Sequence, residues 1–387
     1  MRLYASINSK FIFQFHKLNR SKPMKNKQIS LRSLLGTLLM ALVLGLVLNA
    51  CNKSSDPAVV IDKTKLIVRL DSANATYNAA VEGVTVGSYE VGSKATYKTA
   101  VDAANTVKNN TNATQTEVNN AYVNLGQAGV AFAGKRVQEI APANLVLYLK
   151  MDGNANDASG KGLNGTLKAG STGVATNPTA WTGWGGGTPV ASKDRYGVDG
   201  KAYFFDKGAN IEVPYNSVLN PAKELTIATW VRATVSRPSN YIVSLNRWNG
   251  YKLQLQEANK AFLTVKGGAT KFNDKDNESP TLDLAKWYHV AVSYKSGEMV
   301  FYLNGTPVKT WTDVSGDPYG VKSNINLTIG QDLPTSAYQI NEKDDADGNN
   351  FNGPWGGFFT GDLDELRMYN VVLSGTQVKS IYNAEKP

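Results

Sequence analysis

Residues 287–305 read WYHVAVSYKSGEMVFYLNG. Trp287–Tyr294 and Met299–Leu303 follow a period of two, as strands with one face on a core do. Leu303-Asn304-Gly305-Thr306 then signals a hairpin, because Asn-Gly supplies the two positive φ angles of a type I′ turn. Working outward, the same period marks strands at Leu145–Lys150, Ala202–Phe205, Asn210–Val213, Leu225–Ala233, Tyr241–Leu245, Lys252–Gln256, Ala261–Val265, Asn326–Ile329 and Leu363–Tyr369. Gly, Asn, Asp and Pro turns separate them, and a short helical pattern follows at Ser374–Tyr382. Many short strands without intervening helices predict an all-β, two-sheet sandwich over residues 144–387.

Several stretches resemble the concanavalin A-like, laminin-G-like jelly-roll family. They are Leu147-Tyr148-Leu149-Lys150-Met151-Asp152-Gly153, Asn156-Asp157-Ala158-Ser159-Gly160, Tyr203-Phe204-Phe205-Asp206 and Leu225-Thr226-Ile227-Ala228-Thr229-Trp230-Val231. Trp287-Tyr288-His289-Val290-Ala291, Phe301-Tyr302-Leu303-Asn304-Gly305 and the closing Gly361–Asn370 run complete the series. The resemblance implies a sandwich whose loops or concave face bind glycans, frequently with Ca²⁺.

Upstream, over residues 61–140, the period is helical. Leu66, Leu70, Ala73, Tyr77, Ala80, Val81 and Val84 form one apolar stripe; Tyr97, Ala100, Val101, Ala104 and Val107 a second; Val118, Ala121, Tyr122, Leu125, Ala128 and Phe132 a third. Such stripes predict a small three-helix bundle. Ser93 is placed to cap the second helix, and Thr114 with Glu117 forms a capping box for the third. The Gly87-Ser88-Tyr89-x-x-Gly92-Ser93 turn, Ala100-Val101-x-Ala103-Ala104, Ala113-Thr114-Gln115 and Leu125–Phe132 resemble FIVAR-type helical modules of bacterial surface proteins. That resemblance implies a spacer or adhesive stalk. Ala141-Pro142-Ala143 links it to the sandwich.

The chain carries 41 Lys and Arg against 32 Asp and Glu over 387 residues. Eight of the basic residues lie in the first 50, where no acidic residue occurs; 33 remain against 32 beyond them. The excess charge belongs to a leader, so nucleic acid is not an expected partner. Within residues 1–50, a basic flank precedes the apolar stretch SLLGTLLMALVLGLVLNA at residues 33–50, the layout of a secretory signal, although its length also approaches that of a membrane span. Met24 would begin a complete leader by itself. Leu48-Asn49-Ala50-Cys51 resembles the lipobox of bacterial lipoproteins, which implies acylation of Cys51, cleavage before it and a polar tether over residues 51–60. In Gram-negative lipoproteins, Asn52 in place of Asp would favour the outer membrane, on either side of it. The single cysteine forms no intrachain disulfide. With one histidine and no spare cysteine beyond the leader, zinc is not an expected cofactor, and a Ser-His-Asp triad could arise only through His289; a nucleotide cofactor is not expected either.

Retaining glycosidases of this resemblance use a Glu-x-Asp-x-x-Glu strand, absent here; Asp362-Leu363-Asp364-Glu365 has the wrong spacing, so an enzyme is not expected. Asp152, Asn154 and Asp157 gather oxygens suited to Ca²⁺ after the first strand, and the resemblance would bring Asp364 near them. The same residues also suit Asx turns. The acidic segments Asp274–Glu278 and Asp344–Asn350 read as solvated loops. Trp230 and Trp287 read as core, Trp311 as a strand residue and His289 as a satisfied strand residue. Trp181 and Trp184 in a Gly-rich loop, Trp248 in LNRWNGY and Trp355 in NGPWGGFF are the candidate carbohydrate platform. The expected function is non-catalytic carbohydrate binding by a lipid-anchored cell-envelope protein, with adhesion to a surface protein as the alternative.

Overall fold

The computed structural model describes residues 60–171, 184–321, 324–339 and 357–387. The leader, Cys51, Trp181, Asp344–Asn350 and Trp355 lie outside the described residues.

Three helices come first: α1 (Thr64–Ala79), α2 (Ser93–Asn109) and α3 (Gln115–Ala133). Their stripes meet in one core around Leu66, Leu70, Tyr97, Val101, Val118 and Leu125. Phe132 stacks between Tyr89, at 4.3 Å, and Tyr97, at 4.5 Å. The Thr114–Glu117 capping box forms in both directions. Two expectations fail locally. Gly92, at φ 89°, caps α2, and Ser93 is already helical without a capping bond. α1 ends at Ala79, and the chain turns extended at Ala80, so Val81 leaves the apolar face and is 69% exposed.

The sandwich strands are β1 (Leu145–Leu149), β2 (Thr166–Lys168), β3 (Val190–Ser192), β4 (Ala202–Phe205), β5 (Asn210–Val213), β6 (Glu224–Ala233), β7 (Asn240–Leu245) and β8 (Tyr251–Gln256). They continue with β9 (Lys260–Gly267), β10 (Lys271–Asp276), β11 (Tyr288–Lys295), β12 (Glu298–Leu303), β13 (Thr306–Trp311), β14 (Leu327–Ile329) and β15 (Gly361–Tyr369), followed by helix α4 (Gly375–Glu385). One sheet runs β13-β12-β11-β6-β15-β4-β3, with β1 also on β15; the other runs β10-β9-β8-β7-β14-β5-β2. All pairings between these strands are antiparallel. The β12–β13 hairpin turns at Asn304 (φ 49°) and Gly305 (φ 70°), as Asn-Gly demands. Four strands escape the period-two reading, among them β13, which the Asn-Gly hairpin signal and Trp311 point to without a range. β2 and β3 are three residues long, and β10 reads KFNDKD, whose charges hide a strand that pairing with β9 enforces.

Apolar side chains from both sheets, among them Leu149, Phe205, Ile227, Leu253, Leu263, Val292, Phe301 and Leu363, fill the space between them. β15 organises the larger sheet. β6 pairs along its length, while residues 361–363 pair with β4 and residues 366–369 with β1. The register shifts between Asp364 and Arg367, where Glu365 takes φ 55°. Trp230 is buried in β6, as expected; Trp287 falls just before β11 and is only half-buried, stacked under Arg232.

Candidate functional site

The pleat puts successive side chains on opposite faces. On β8, Leu253 and Leu255 enter the core, so Lys252, Gln254 and Gln256 face outward. Register then lines their neighbours up. Tyr241 lies opposite Gln254, which lies opposite Phe262; Lys252 lies opposite Thr264, which lies opposite Asp274. Beyond β7, Asn246 (φ 58°) and Arg247 (φ 49°) both adopt left-handed backbone, and the turn Arg247–Asn249 carries Trp248. Pro238, Ser239, Tyr241, Trp248, Lys252, Gln254, Gln256, Phe262 and Asp274 line a groove of about 510 Å³ on this outer face.

Lys252 is the groove's central group. It is 4% exposed, and its Nζ donates to Gln254 Oε1 at 2.7 Å. Three rings surround the ammonium, with centroids 5.0 Å (Phe262), 5.2 Å (Tyr241) and 5.8 Å (Trp248) away, a cation–π arrangement. Burial pushes its pKa down to about 8; Asp274 and Asp332 oppose that push and Arg247 adds to it. Asp274 accepts a hydrogen bond from the Thr264 hydroxyl. Arg247 and Asp332 form a buried ion pair, and the guanidinium carbon lies 5.4 Å from the Trp248 ring centroid. Either charge alone would be strongly destabilising there, so the pair fixes the turn that presents Trp248.

Of the four tryptophans singled out in the sequence, Trp248 lies in this groove. Trp184 does not. It meets Phe358 edge-on at 4.9 Å and packs by Leu333 and Ala337. A Cβ on Gly208 would come within 2.7 Å of its ring, so this loop tryptophan is wedged against the sandwich. Trp181 and Trp355 lie outside the described residues.

The oxygens proposed for Ca²⁺ have other partners. Asp157 accepts from the backbone N–H groups of Tyr148, Ser159 and Leu163 and from the Ser159 hydroxyl. Burial pushes its carboxyl up, but those donors outweigh burial and hold it below the usual range. Asn154 Oδ1 accepts from the Asn156 N–H at 2.9 Å, and Asp152 lies 3.5 Å from Lys201. Asp364 pairs with Arg195 at 2.5 Å instead of joining that turn. Among the described residues no group of three or more His, Cys, Asp and Glu is placed to hold a metal ion.

A second polar cluster sits on the outer face of the larger sheet, beneath α4. Trp230 donates to Glu385 at 2.9 Å and stacks on Tyr382, and Glu385 pairs with Arg367. Arg195 lies 5.1 Å from the Trp230 ring and bonds both Asp364 and the Glu385 carbonyl. His289, opposite Trp230 on β11, is fully enclosed, and neither ring nitrogen has a hydrogen-bond partner among the described residues. It is therefore not the satisfied strand residue that its sequence setting implies. Burial pushes its pKa down to about 3, helped by Arg367 and Arg195. The carboxylates here are consumed in clamping α4 to the sheet.

Residues 205–379 match the family model described as the concanavalin A-like lectin/glucanases superfamily. The sandwich is a concanavalin A-like jelly roll. No curated protein matches the chain. Among solved structures, it is similar to domain 4 of an extracellular arabinanase from Geobacillus stearothermophilus, solved with arabinotriose, at 17% identity and a TM-score of 0.44 over 62% of this chain and 98% of that one. It is also similar to the binding domain of Paraclostridial mosquitocidal protein 1 (18%, TM-score 0.42, 63% of this chain and 52% of that one). A structure of botulinum neurotoxin type C, whose cell entry depends on interaction with two ganglioside molecules, gives 15% identity and a TM-score of 0.42 over 63% of this chain and 51% of that one. The chain thus spans about half of each toxin structure.

Sequence reasoning missed Tyr241, Lys252, Gln254, Phe262 and Asp274 as site residues. The usable signal was YKLQLQ at residues 251–256, whose leucines alternate with Lys, Gln and Gln on a strand bound for the core. Asp274, read as a loop residue, stands in β10.

Two predictions follow from this wiring. Asp157→Ala should cost about 2 kcal/mol by leaving its turn donors without an acceptor, while a chelator should leave the wild-type melting temperature unchanged; a clear fall on chelation would restore a cation to this turn. His289 titrates near 6.5 when unfolded and near 3 when folded, so the unfolded chain binds the extra proton and stability falls as pH drops below 6.5. The slope is about 1.4 kcal/mol per pH unit. His289→Leu should remove that component from urea-unfolding curves taken between pH 6.5 and 4, and an unchanged slope would mean the imidazole is solvated.

Proposed function

We propose that the jelly roll is a non-catalytic glycan-binding module that takes its ligand in the outer groove of the smaller sheet. The observation that carries this is the convergence of three aromatic rings with Lys252, Gln254, Gln256 and Asp274 in one open groove. Aromatic faces suit the C–H surfaces of sugar rings, and the amides, ammonium and carboxylate suit hydroxyl groups. Hydrolysis by paired carboxylates needs two such groups across the scissile bond; the described lining offers one, Asp274. The likeness to a superfamily of lectins and glucanases supports a sugar ligand.

We propose further that Cys51 carries the lipid that holds the protein at the outer membrane, with the FIVAR-like helical bundle as a spacer. The lipobox-like Leu48–Cys51 run and the basic leader support this. Acyl chains contribute roughly 0.8 kcal/mol per buried methylene, so more than one is needed for durable attachment.

Affinity electrophoresis against a polysaccharide panel tests the groove. Trp248→Ala and Phe262→Ala should each weaken binding by about tenfold, equivalent to about 1.4 kcal/mol, with unfolding little changed; undiminished binding would place the ligand elsewhere. For the anchor, growth with labelled palmitate should label the protein and Cys51→Ser should abolish the label, whereas an unlabelled wild type would refute acylation.

A further inference from the structure

The groove holds an ammonium that makes a single hydrogen bond and no ion pair among the described residues. An ammonium has three donors, and Lys252 uses one, on Gln254 Oε1. Of the carboxylates around it, Asp332 pairs with Arg247, while Asp274 accepts the Thr264 hydroxyl and acts on the ammonium only through space. Among the described residues Lys252 has no ion pair, and what surrounds it is aromatic: Tyr241 on β7, Trp248 on the following turn and Phe262 on β9. A buried cation with no directly paired carboxylate is costly, and the cation–π contacts and the through-space pull of Asp274 and Asp332 return only part of that cost. An anion arriving in the groove would meet two N–H donors that no described residue takes up, in surroundings that screen it poorly.

We propose that Lys252 receives the anionic substituent of an acidic saccharide, a carboxylate or a sulfate ester, while the sugar ring lies against Trp248 and its neighbouring rings. This rests on the groove being the glycan site and narrows the ligand class. A neutral hydroxyl could accept one of the same N–H groups, but it would leave the charge unbalanced. The titratable and charged groups facing Lys252 are Asp274 from β10, Tyr241 from β7, and Arg247 and Asp332 beside the Trp248 turn. Because burial brings Lys252 down to about 8, its charged form is lost as pH rises through that value. Anion binding should therefore weaken over the same range.

Calorimetry with the purified protein tests this, using polygalacturonate, its fully methyl-esterified form, a sulfated galactan and its desulfated form between pH 6 and 9. The acidic member of at least one pair should bind at least tenfold more tightly than its neutral counterpart at pH 7. That preference should fall about fivefold between pH 8 and pH 9. A carboxylate source is indicated if only the first pair discriminates, and a sulfate source if only the second does. Lys252→Met should abolish the preference, and Lys252→Arg should retain it. Equal binding of both members of each pair, or a preference that persists unchanged to pH 9, would overturn the assignment even if Lys252→Met fails to fold. Binding of neutral sugars alone would overturn this inference and leave the glycan reading standing; binding of no saccharide would overturn both.

Discussion

Leu253 and Leu255 on β8 point between the two sheets, and a pleated strand must then send Lys252, Gln254 and Gln256 the other way. Everything in the groove depends on that constraint. Antiparallel register places Tyr241 and Phe262 on either side of Gln254, and Thr264 between Lys252 and Asp274. A slip of one residue would put a lysine and two glutamines into the core and two leucines into solvent. The packing that stabilises the sandwich therefore also composes its outer surface, and the ion pair of Arg247 with Asp332 adds Trp248 to it.

The two outer faces of the sandwich are used differently. On the larger sheet, α4 covers Trp230 and His289, held by Tyr382, Glu385, Arg195 and Asp364. The same helix reaches the helical bundle: Thr376 donates to the Gly134 carbonyl and Gln377 to the Glu139 carbonyl. One helix thus closes one face and ties down the bundle. The face of the smaller sheet keeps an aromatic, polar groove. Both faces contain buried charge, but beneath α4 most of it is cross-paired, whereas Lys252 is met by one amide and three rings.

Much of the fold could be read from period and turn chemistry. The strand pattern survives because each strand turns one face to a shared core, and the Asn304-Gly305 turn survives because few other pairs tolerate two positive φ angles. β10 was illegible because KFNDKD lies at the sheet edge, where pairing rather than apolar content makes a strand. The site was less legible. Trp248 stands out in a loop, but nothing local to Lys252 reveals that its neighbours are Tyr241 and Phe262, which register supplies. Trp184 misled for the converse reason: Phe358, Leu333 and Ala337, distant in sequence, give its ring somewhere to pack. The oxygen-rich turn at Asp152–Asp157 could be read as a cation site or as Asx turns, and the bonds to Asp157 and Asn154 are those of a self-satisfied turn.

The claim that the outer groove of the smaller sheet is the ligand face is tested most directly by hydrogen–deuterium exchange with and without a saturating oligosaccharide. Protection should concentrate in residues 238–276, the stretch that supplies β7–β10 and the Trp248 turn. Protection confined to residues 150–165 or to the face beneath α4, with residues 238–276 unchanged, would contradict it.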